Sequence, residues 1–345
     1  MTAPGTIGIV ANPASGKDVR RLVARASVFD NQEKQAIVRR ALTGIIATAG
    51  PRAQIAYFDD QHGITRHALA EIGGELRAEP VISTRTASAL DTVNAVRALR
   101  SAGCSVVISL GGDGTNRAIA QAWADVPLIA ISTGTNNVFP SLIEATVAGA
   151  AAGLIAARLI DLNEVSAQHK LIKVAIDDQD EDLALIDAVL SSERFIGARA
   201  LLDPAALRTL LLTRADPAAV GMTAVGGLLQ PLQDCCDTAL LLELGPQGQA
   251  LNVPIAPGFY RTVHVQSLRR VALGERVTMS GPGVLAFDGE RERELINGAT
   301  ARLTVERCGP RVVDVSKVLQ LTAQRGVFSK PLSGTSAKVV ATKIG

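Results

Sequence analysis

The sequence predicts an α/β, Rossmann-like domain at residues 1–160, followed by an all-β, sandwich-like domain at residues 161–328. In the first part, short apolar runs rich in β-branched residues alternate with segments of helical periodicity, as in βαβ units. In the second part, short β-rich runs are separated by Pro, Gly and Asp, which is the spacing of an antiparallel sheet. The polar segment 329–345 is predicted to be a weakly ordered tail.

The elements of the first part follow in order along the chain. We predict strands at residues 6–11, 54–58, 104–110 and 126–132, and helices at residues 30–49, 65–77, 86–101, 115–123 and 141–160. The last strand pair and the helix between them form a complete βαβ unit. Its right-handed crossover makes the two strands parallel.

After residue 161 the pattern changes to short strands. They are predicted at residues 171–176, 183–190, 238–244, 262–265, 276–279, 284–287, 301–305 and 312–315. Glycine-rich segments at residues 221–227 and 254–258 interrupt this pattern. The strands are therefore expected to form a sheet domain that is separate from the parallel one.

Composition limits the classes of function. A chain of 345 residues is long enough for two domains. The net charge of +2, the scattered Lys and Arg residues and the 3% of aromatic residues argue against a dedicated nucleic-acid binder. The four cysteines form no Cys-x-x-Cys pair, so neither a zinc site nor a disulfide framework is predicted.

No segment predicts membrane insertion or export. The first apolar run, in residues 1–11, lacks a preceding charged segment and does not fit a signal peptide. The longest apolar segment, residues 145–157, is too short to span a bilayer and is followed by Arg158. We therefore expect a protein without a membrane span, located in the reducing cytoplasm.

The stretch at residues 106–116 carries the strongest chemical signal. An apolar strand runs directly into Gly111, Gly112, Asp113, Gly114 and Thr115. Glycines let the backbone approach an anion closely, and the free amides of a helix start attract phosphate. A carboxylate there would repel phosphate unless it binds a metal ion or takes a proton from an attacking hydroxyl, which indicates phosphoryl transfer. The alternative is a tight turn in which Asp113 or Thr115 caps the helix.

A second polar loop follows the next parallel strand. It consists of Thr133, Gly134, Thr135, Asn136 and Asn137. Both loops should emerge at the same edge of the sheet, where open α/β sheets bind ligands. Two phosphate-friendly loops at one crevice are less expected by accident than one.

The loop after the first strand, at residues 12–17, begins with Asn12. It lacks the first glycine of a P-loop, where Ala11 stands, and Asp18 replaces the final Ser or Thr. It also lacks the glycine fingerprint of a dinucleotide site. Its position predicts either one wall of a ligand crevice or a plain turn.

The late segment at residues 287–290 reads Phe-Asp-Gly-Glu. Asp-Gly between two strands is first of all a hairpin turn. If the second domain folds over the crevice, Asp288 or Glu290 could instead help to hold magnesium or deprotonate an acceptor hydroxyl.

Together these residues resemble a known superfamily. The Gly-Gly-Asp-Gly-Thr motif is similar to the one shared by NAD kinases, diacylglycerol and sphingosine kinases and, more distantly, phosphofructokinases. Four further segments occur in the order that this superfamily uses: the Asn12 loop, the loop at 133–137, the segment at 221–227 and Asp-Gly-Glu at 288–290. The resemblance covers residues 6–328 and is closest to the NAD kinase-like acetoin catabolism protein X group.

The resemblance implies an NAD kinase-like fold, ATP as phosphoryl donor, magnesium as cofactor and a homo-oligomer. It assigns phosphate or nucleotide binding to Asn12, Gly111, Gly112, Gly114, Thr115, Thr133, Gly134, Thr135, Asn136 and Asn137. Asp113 would activate the acceptor hydroxyl or organise the metal, to which Asp288 is a second expected ligand. The expected substrate contacts are Asp187, Thr223, Asp288 and Glu290.

The sequence also departs from the NAD kinase pattern. True NAD kinases carry an Asn-Glu or Asn-Asp pair early in the β domain, and the matching place here is Ile186-Asp187, without the Asn. Asn163-Glu164 spells the pair but precedes the strand at residue 171, and we exclude it. The Tyr of the segment at 221–227 is missing as well. Loss of one buried hydrogen-bond partner costs about 1–3 kcal/mol, which is enough to change substrate preference.

Three functions follow from this reasoning. The first is an ATP-dependent kinase that phosphorylates NAD or a related hydroxyl-bearing small molecule, with a link to acetoin catabolism. The second is a lipid kinase, which Asn12-Pro13 and Asp-Gly-Glu favour, although the sequence has no amphipathic basic helix for membrane docking. The third is a regulatory protein that binds a nucleotide without catalysis, because folds outlive their activities.

Overall fold

The computed structural model describes residues 5–16, 30–82, 85–134, 137–177, 181–193 and 203–329, except the side chains of residues 290–292. Most of the predicted tail, residues 330–345, lies outside this part. Across the described ranges, no helix combines the length and the hydropathy needed to cross a membrane.

The described chain forms two groups of strands. In chain order the strands are β1 (Thr6–Ala11), β2 (Gln54–Tyr57), β3 (Arg77–Pro80), β4 (Cys104–Gly111), β5 (Pro127–Ser132), β6 (Ser166–Gln168), β7 (Leu171–Ile176), β8 (Asp182–Ala184), β9 (Asp187–Ser191), β10 (Leu207–Leu212), β11 (Thr238–Ala256), β12 (Phe259–Ala272), β13 (Arg276–Ser280), β14 (Gly283–Phe287), β15 (Glu290–Leu295), β16 (Thr300–Glu306) and β17 (Arg311–Val313). The helices are α1 (Asn31–Ala49), α2 (Ile64–Glu71), α3 (Ala89–Ser101), α4 (Asp113–Ala122), α5 (Ala145–Ala156), α6 (Leu162–Val165), α7 (Met222–Gly227) and α8 (Val315–Gln324).

The first sheet has the strand order β3-β2-β1-β4-β5-β17-β6. Its pairs are parallel except for β6, which runs antiparallel to β17. The chain moves outward from β1 in one direction to β3 and in the other direction to β5. The order therefore reverses between β1 and β4, which is where doubly wound sheets open a crevice at the carboxyl ends of their strands. The predicted parallel α/β architecture is confirmed.

Helices cover both faces of this sheet. Alternate strand residues such as Ile7 and Ile108 pack with α1 and α5, whereas Val10 and Val107 pack with α3 and α4. The helices α1 and α5 approach especially closely, because a Cβ on Gly149 would lie 1.9 Å from the carbonyl oxygen of Ala41. This contact packs the first half of α5 against the middle of α1.

The second group of strands forms a sandwich of two antiparallel sheets. One has the order β12-β11-β10-β9-β14-β15 and the other has the order β13-β16-β7-β8. Their shared core contains Leu190, Leu285 and Phe287 from the larger sheet and Val174 and Leu303 from the smaller one. The predicted all-β, sandwich-like second part is confirmed.

The chain crosses between the two parts twice, at residues 169–170 and 307–310. The crossings lie side by side, since the His169 amide donates to the Pro310 carbonyl and the Gly309 amide to the His169 carbonyl. Strands β6 and β17 therefore complete the first sheet, and α8 packs on α5. The sequence assigned these segments to the second domain. We propose instead that residues 5–168 and 311–324 form one domain and residues 171–306 the other.

Other elements differ from the predictions in extent. Helix α2 ends at Glu71, and Gly73 and Gly74 with positive φ angles turn the chain into β3, where a longer helix was predicted. The predicted strand at 183–190 is divided into β8 and β9 by a turn at 185–186. Residues 312–315 were predicted as a strand, but the strand ends at Val313 and α8 begins at Val315.

Candidate functional site

The glycine motif forms the predicted strand–turn–helix unit. Gly111 ends β4, Gly112 takes the N-cap position of α4, and Asp113 is the first residue of the helix. Neither Asp113 nor Thr115 is therefore the cap. A carboxylate in the first turn is favoured by the helix dipole. The turn is fixed from behind by buried Asn116, which donates to the Gly112 carbonyl at 2.8 Å.

The side chain of Asp113 joins this loop to the second one. Its Oδ1 accepts a hydrogen bond of 2.7 Å from the Phe139 amide, and both oxygens accept from the Val138 amide at 3.1 Å. The backbones also meet, because the Thr133 amide donates to the Gly111 carbonyl at 3.0 Å. The two loops that the sequence singled out thus form one continuous surface at the carboxyl edge of β4 and β5.

Glycines line the place where these loops meet. A Cβ on Gly134 would lie 2.3 Å from Oδ1 of Asn137, and a Cβ on Gly112 would lie 2.8 Å from the same atom. Asn137 is itself held by a hydrogen bond of 2.6 Å to the Ser132 hydroxyl. A side chain at either glycine would displace Asn137. The bare backbone at both positions fits close approach by a phosphate.

The loop after β1 closes a third side. Nδ2 of Asn12 donates to Oγ1 of Thr115 at 2.8 Å, and the hydroxyls of Ser15 and Thr133 are 2.9 Å apart. Oδ1 of Asn12 accepts from the Ala14 amide at 2.9 Å, which shapes the turn. The structure therefore brings together Asn12 and the two glycine loops. Thr135 and Asn136 lie outside the described residues.

A buried lysine that the sequence reasoning missed supports the loop after β1. Lys34 on α1 is 0% exposed, and its Nζ donates to the carbonyls of Ser15 at 2.7 Å, Asn12 at 3.0 Å and Pro13 at 3.2 Å. These bonds satisfy both the buried charge and the loop carbonyls. The sequence feature that could have identified Lys34 as buried is its position three residues before Ile37, on the apolar side of the predicted helix.

A cavity of about 270 Å³ opens beside the second loop. It lies between the start of α1, the end of β5 and the start of α5, and its lining includes Ser132, Glu33, Arg40, Glu144 and Leu142. Arg40 reaches both acids, at 3.1 Å to Glu33 and 3.4 Å to Glu144. A ligand on the glycine loops therefore has adjoining space with charged walls.

Asp288 lies in the predicted hairpin turn, between β14 and β15, with a φ of 50°. Its carboxylate is buried and accepts hydrogen bonds from the amides of Leu185 at 2.9 Å, Ile186 at 2.7 Å and Asp187 at 3.2 Å. Burial raises the pKa of Asp288 above its usual range, against the opposite effect of these amides. A carboxylate engaged by three amides does not fit a magnesium ligand, because magnesium needs accessible oxygens in an octahedral set.

The other predicted substrate residues lie in the second domain. Asp187 begins β9 and is buried, and its carbonyl accepts from the Asp288 amide at 3.1 Å. Thr223 is 1% exposed in α7, which packs on β10 and β11, and its hydroxyl has no hydrogen-bond partner. Glu290 begins β15, and its side chain lies outside the described part of the structure. Among the described side chains of these predicted residues, the structure brings Asp187 and Asp288 together.

A buried ion pair attaches the glycine-motif helix to the second domain. Arg117 lies one turn beyond Asp113, and its Nη2 is 2.8 Å from Asp182 on β8, with both side chains under a tenth exposed. Its Nε donates to the Leu183 carbonyl at 2.6 Å, and its guanidinium lies 5.1 Å from the Phe287 ring. Burial raises the pKa of Asp182, but the charge of Arg117 and the hydrogen bonds from the Leu183 amide, Arg117 and Arg293 together outweigh it, so the net shift is downward. Sequence reasoning missed this pair because no local pattern links its residues.

No group of three or more His, Cys, Asp or Glu side chains within the described ranges is arranged to hold a metal ion. Asp113 is the acid that adjoins both glycine loops. The Asp113 carboxylate also accepts amide hydrogen bonds, but unlike Asp288 it is only partly buried, so its oxygens fit a magnesium ion that is shared with the phosphates of a nucleotide.

Family models match both parts of the chain. Residues 7–159 match the family model of the ATP-NAD kinase N-terminal domain, and residues 170–308 match that of the acetoin catabolism protein X C-terminal domain. The boundaries of the second match lie at the two crossings between the domains. A crystal structure of yeast NADH kinase complexed with NADH is similar with a TM-score of 0.47 and 14% identity, covering 97% of this chain and 91% of that chain.

Two relatives are similar in sequence. An uncharacterised protein of Archaeoglobus fulgidus is 33% identical over 138 residues, which is 39% of this chain and 36% of that protein. Acetoin catabolism protein X of Cupriavidus necator is 35% identical over 331 residues, which is 91% of each protein. Identity at this level across nearly the whole length confirms the resemblance seen in the motifs. The chain belongs to the acetoin catabolism protein X family, whose first part is NAD kinase-like.

Proposed function

We propose that the protein is an ATP-dependent kinase of the NAD kinase-like type, which phosphorylates a hydroxyl group of NAD or a related small molecule. One observation carries the proposal: Asp113 of the first glycine loop accepts hydrogen bonds from the amides of Val138 and Phe139, the two residues that directly follow the second glycine loop. A carboxylate and two anion-binding loops at one edge of a sheet are the parts that phosphoryl transfer needs.

In this proposal the backbone amides of the loops at Gly112 and Gly134 hold the phosphates and stabilise the equatorial oxygens of the transferred group. The acceptor oxygen bonds to the γ-phosphorus while the bond to the β,γ-bridging oxygen breaks, and ADP leaves. Asp113 takes the proton of the acceptor hydroxyl or helps to hold the metal. Asp113 and the phosphates of the nucleotide would hold magnesium, which would neutralise charge on those phosphates.

The acceptor is proposed to bind between the domains. The second domain would contribute Asp187, the buried first residue of β9, which the resemblance matches to the acid of the Asn-acid pair of NAD kinases. Thr223 and Glu290 remain predicted contacts. We assign Asp288 a structural role instead, since its carboxylate already holds the 185–187 turn.

A phosphoryl-transfer screen with γ-labelled ATP tests the function. NAD, NADH, acetoin and diacylglycerol are offered as acceptors, and we expect label in at least one of the first three. Asp113→Asn should lower kcat by about 10²–10⁴-fold if Asp113 is a general base. Equal turnover in that variant would remove Asp113 from the mechanism, and label in diacylglycerol alone would favour the lipid kinase.

The second candidate is a nucleotide-binding regulatory protein. It is favoured by the hydrogen bonds at Asp113, because a carboxylate that orders a loop is useful without any chemistry. Tight binding of ATP with no transfer to any acceptor in the screen would support this candidate. Turnover above the background of the Asp113→Asn variant would exclude it.

The family resemblance also implies a homo-oligomer in the cytoplasm. Light scattering on the eluted protein should give an integral multiple, greater than one, of the chain mass. A monomeric mass at micromolar concentration would contradict this part of the proposal.

A further inference from the structure

Arg214 lies just beyond β10, on the side of the second domain that meets the second glycine loop. Its guanidinium carbon is 5.7 Å from the centre of the Phe139 ring. The same ring packs edge-on against His169, with 5.6 Å between centroids. Because the Phe139 amide donates to Asp113, Arg214 and Asp113 contact the same residue from different domains.

The polar groups of Arg214 are incompletely used. Its side chain is 16% exposed, and its buried Nε has no hydrogen-bond partner. Nη2 lies 2.8 Å from Nδ1 of His169 and 3.4 Å from Oδ1 of Asp234. Buried N–H donors of a charged group normally have acceptors, so an acceptor is missing from this position.

The side chains around Arg214 carry an excess of positive charge, which also fits a missing anion. Asp234 is shared with Arg307, whose Nη1 is 3.5 Å away. Lys170 is 0% exposed and donates to the carbonyls of Cys236 at 2.9 Å and Thr238 at 2.8 Å, which carry no full charge. A second acid, Asp237, pairs with Arg307, but its side chain is 78% exposed.

The protonation states of His169 and Lys170 near pH 7 do not remove this excess of positive charge. Burial lowers the pKa of His169 to about 4, so this ring is neutral near pH 7. Burial also lowers the pKa of Lys170 to about 8, which still leaves most of its charge at that pH. Three cations therefore surround Asp234, and an anion would complete the cluster.

We infer that Arg214 binds an anionic group of the acceptor, a phosphate or a carboxylate. The inference rests on the proposed function, which it deepens: the substrate class is an anionic small molecule, and a neutral lipid or acetoin itself is excluded. Arg214 acts as a specificity residue. It holds the acceptor on the side of Phe139 that faces the second domain, while Asp113 serves the reacting hydroxyl.

Calorimetric titration with inorganic pyrophosphate tests the site directly. The protein is first saturated with ADP, so that the glycine loops are occupied and the probe reports on the remaining anion site. Arg214→Gln should weaken pyrophosphate binding by about tenfold or more, because a charge-assisted hydrogen bond is lost. Arg214→Lys, which keeps the charge without the planar fork, should fall between this variant and the wild type.

Arg269→Gln is the matched control, because Arg269 is an exposed arginine on β12 that pairs with Glu275. It should bind pyrophosphate as the wild type does. Thermal melting establishes that each variant is folded, and if Arg214→Gln fails to fold, the comparison of Arg214→Lys with the wild type decides. Unchanged binding in the folded Arg214 variants, or no pyrophosphate binding by the ADP-saturated wild type, overturns the inference.

Failure of the proposed kinase function would give a different experimental result from failure of the Arg214 inference. If neither ADP nor ATP binds, the kinase proposal is lost, and the pyrophosphate titration is repeated without nucleotide. Weaker binding by Arg214→Gln than by Arg269→Gln then still supports an anion site at Arg214. Equal binding by these two variants rejects it.

Discussion

Oδ1 of Asp113 accepts a hydrogen bond of 2.7 Å from the backbone amide of Phe139. The two residues belong to different loops of the sheet edge, and the bond makes the position of each loop depend on the other. A substitution at Asp113 therefore acts on loop order as well as on chemistry. For such a variant, both kcat and nucleotide affinity have to be measured. A loss of chemistry alone lowers kcat and leaves the nucleotide affinity unchanged.

Lys34→Met should loosen the loop after β1, at residues 12–16. The Pro13 and Ser15 carbonyls lose the donor that Lys34 supplies, and unsatisfied buried groups cost about 1–3 kcal/mol each. We expect a lower urea midpoint and weaker ADP binding, measured by denaturation and calorimetry. Lys317→Met, at an exposed position on α8, is the control and should change neither. Wild-type ADP affinity in Lys34→Met would separate this loop from the nucleotide site.

Gly149→Ala should destabilise the protein, although helix propensity alone predicts a stabilising change. Alanine stabilises a helix interior by about 1 kcal/mol relative to glycine. Here its Cβ would lie 1.9 Å from the Ala41 carbonyl oxygen, so α1 and α5 must separate. Overpacking of this kind costs about 1–3 kcal/mol. Chemical denaturation should show net destabilisation, and a more stable variant would refute the close helix contact.

Arg117→Met should destabilise the protein by about 3 kcal/mol, since it leaves the buried Asp182 carboxylate without its closest cation. Arg293 still contacts Asp182 at 3.2 Å, so we expect the lower end of the range for broken buried pairs. Arg293→Met is the comparison: its side chain is 37% exposed, and its loss should cost about 1 kcal/mol or less. Equal costs for the two variants in urea titrations would contradict this ranking.

His169 should make the protein acid-sensitive. The pKa of the folded state is about 4, below the ordinary 6.5, because burial disfavours the charged ring. Between these values the unfolded chain binds a proton that the folded chain does not, so stability falls as the pH falls from 6.5 to 4. The loss is at most about 3 kcal/mol. Asp234 opposes the shift, and Arg214, Arg307 and Lys170 add to it.

Urea titrations of His169→Gln over this pH interval check the assignment. The difference in unfolding free energy between wild type and variant should shrink as the pH falls. His264→Gln, which changes a histidine on the edge strand β12, controls for histidine loss in general. A difference that stays constant with pH would rule out His169 as the group that titrates.

The parts of the fold that sequence could predict are those with a local signal. Apolar β-branched runs followed by Gly111 and Gly134 define strand ends and turns within a few residues, and these turns form the core of the site. The Asp288 hairpin is of the same kind. Its chemical role was harder to predict, because the amides that occupy its carboxylate lie about a hundred residues away in the chain.

Long-range contacts account for what the sequence could not predict. Lys34, Arg117 and Arg214 act through partners brought together only by the fold, and no spacing along the chain identifies them. Strands β6 and β17 look like members of the second domain because they lie beyond residue 160, yet they pair with the first sheet. Local patterns predict strands, but the sheet that a short strand joins is decided by packing.

The central claim is that both glycine loops serve one nucleotide. A crystal structure of the protein with ADP tests it most directly. The account predicts β-phosphate oxygens within about 3 Å of backbone amides from both the turn at Gly112 and the loop at Gly134. ADP bound elsewhere, or a β-phosphate in contact with only one of the two loops, would contradict it.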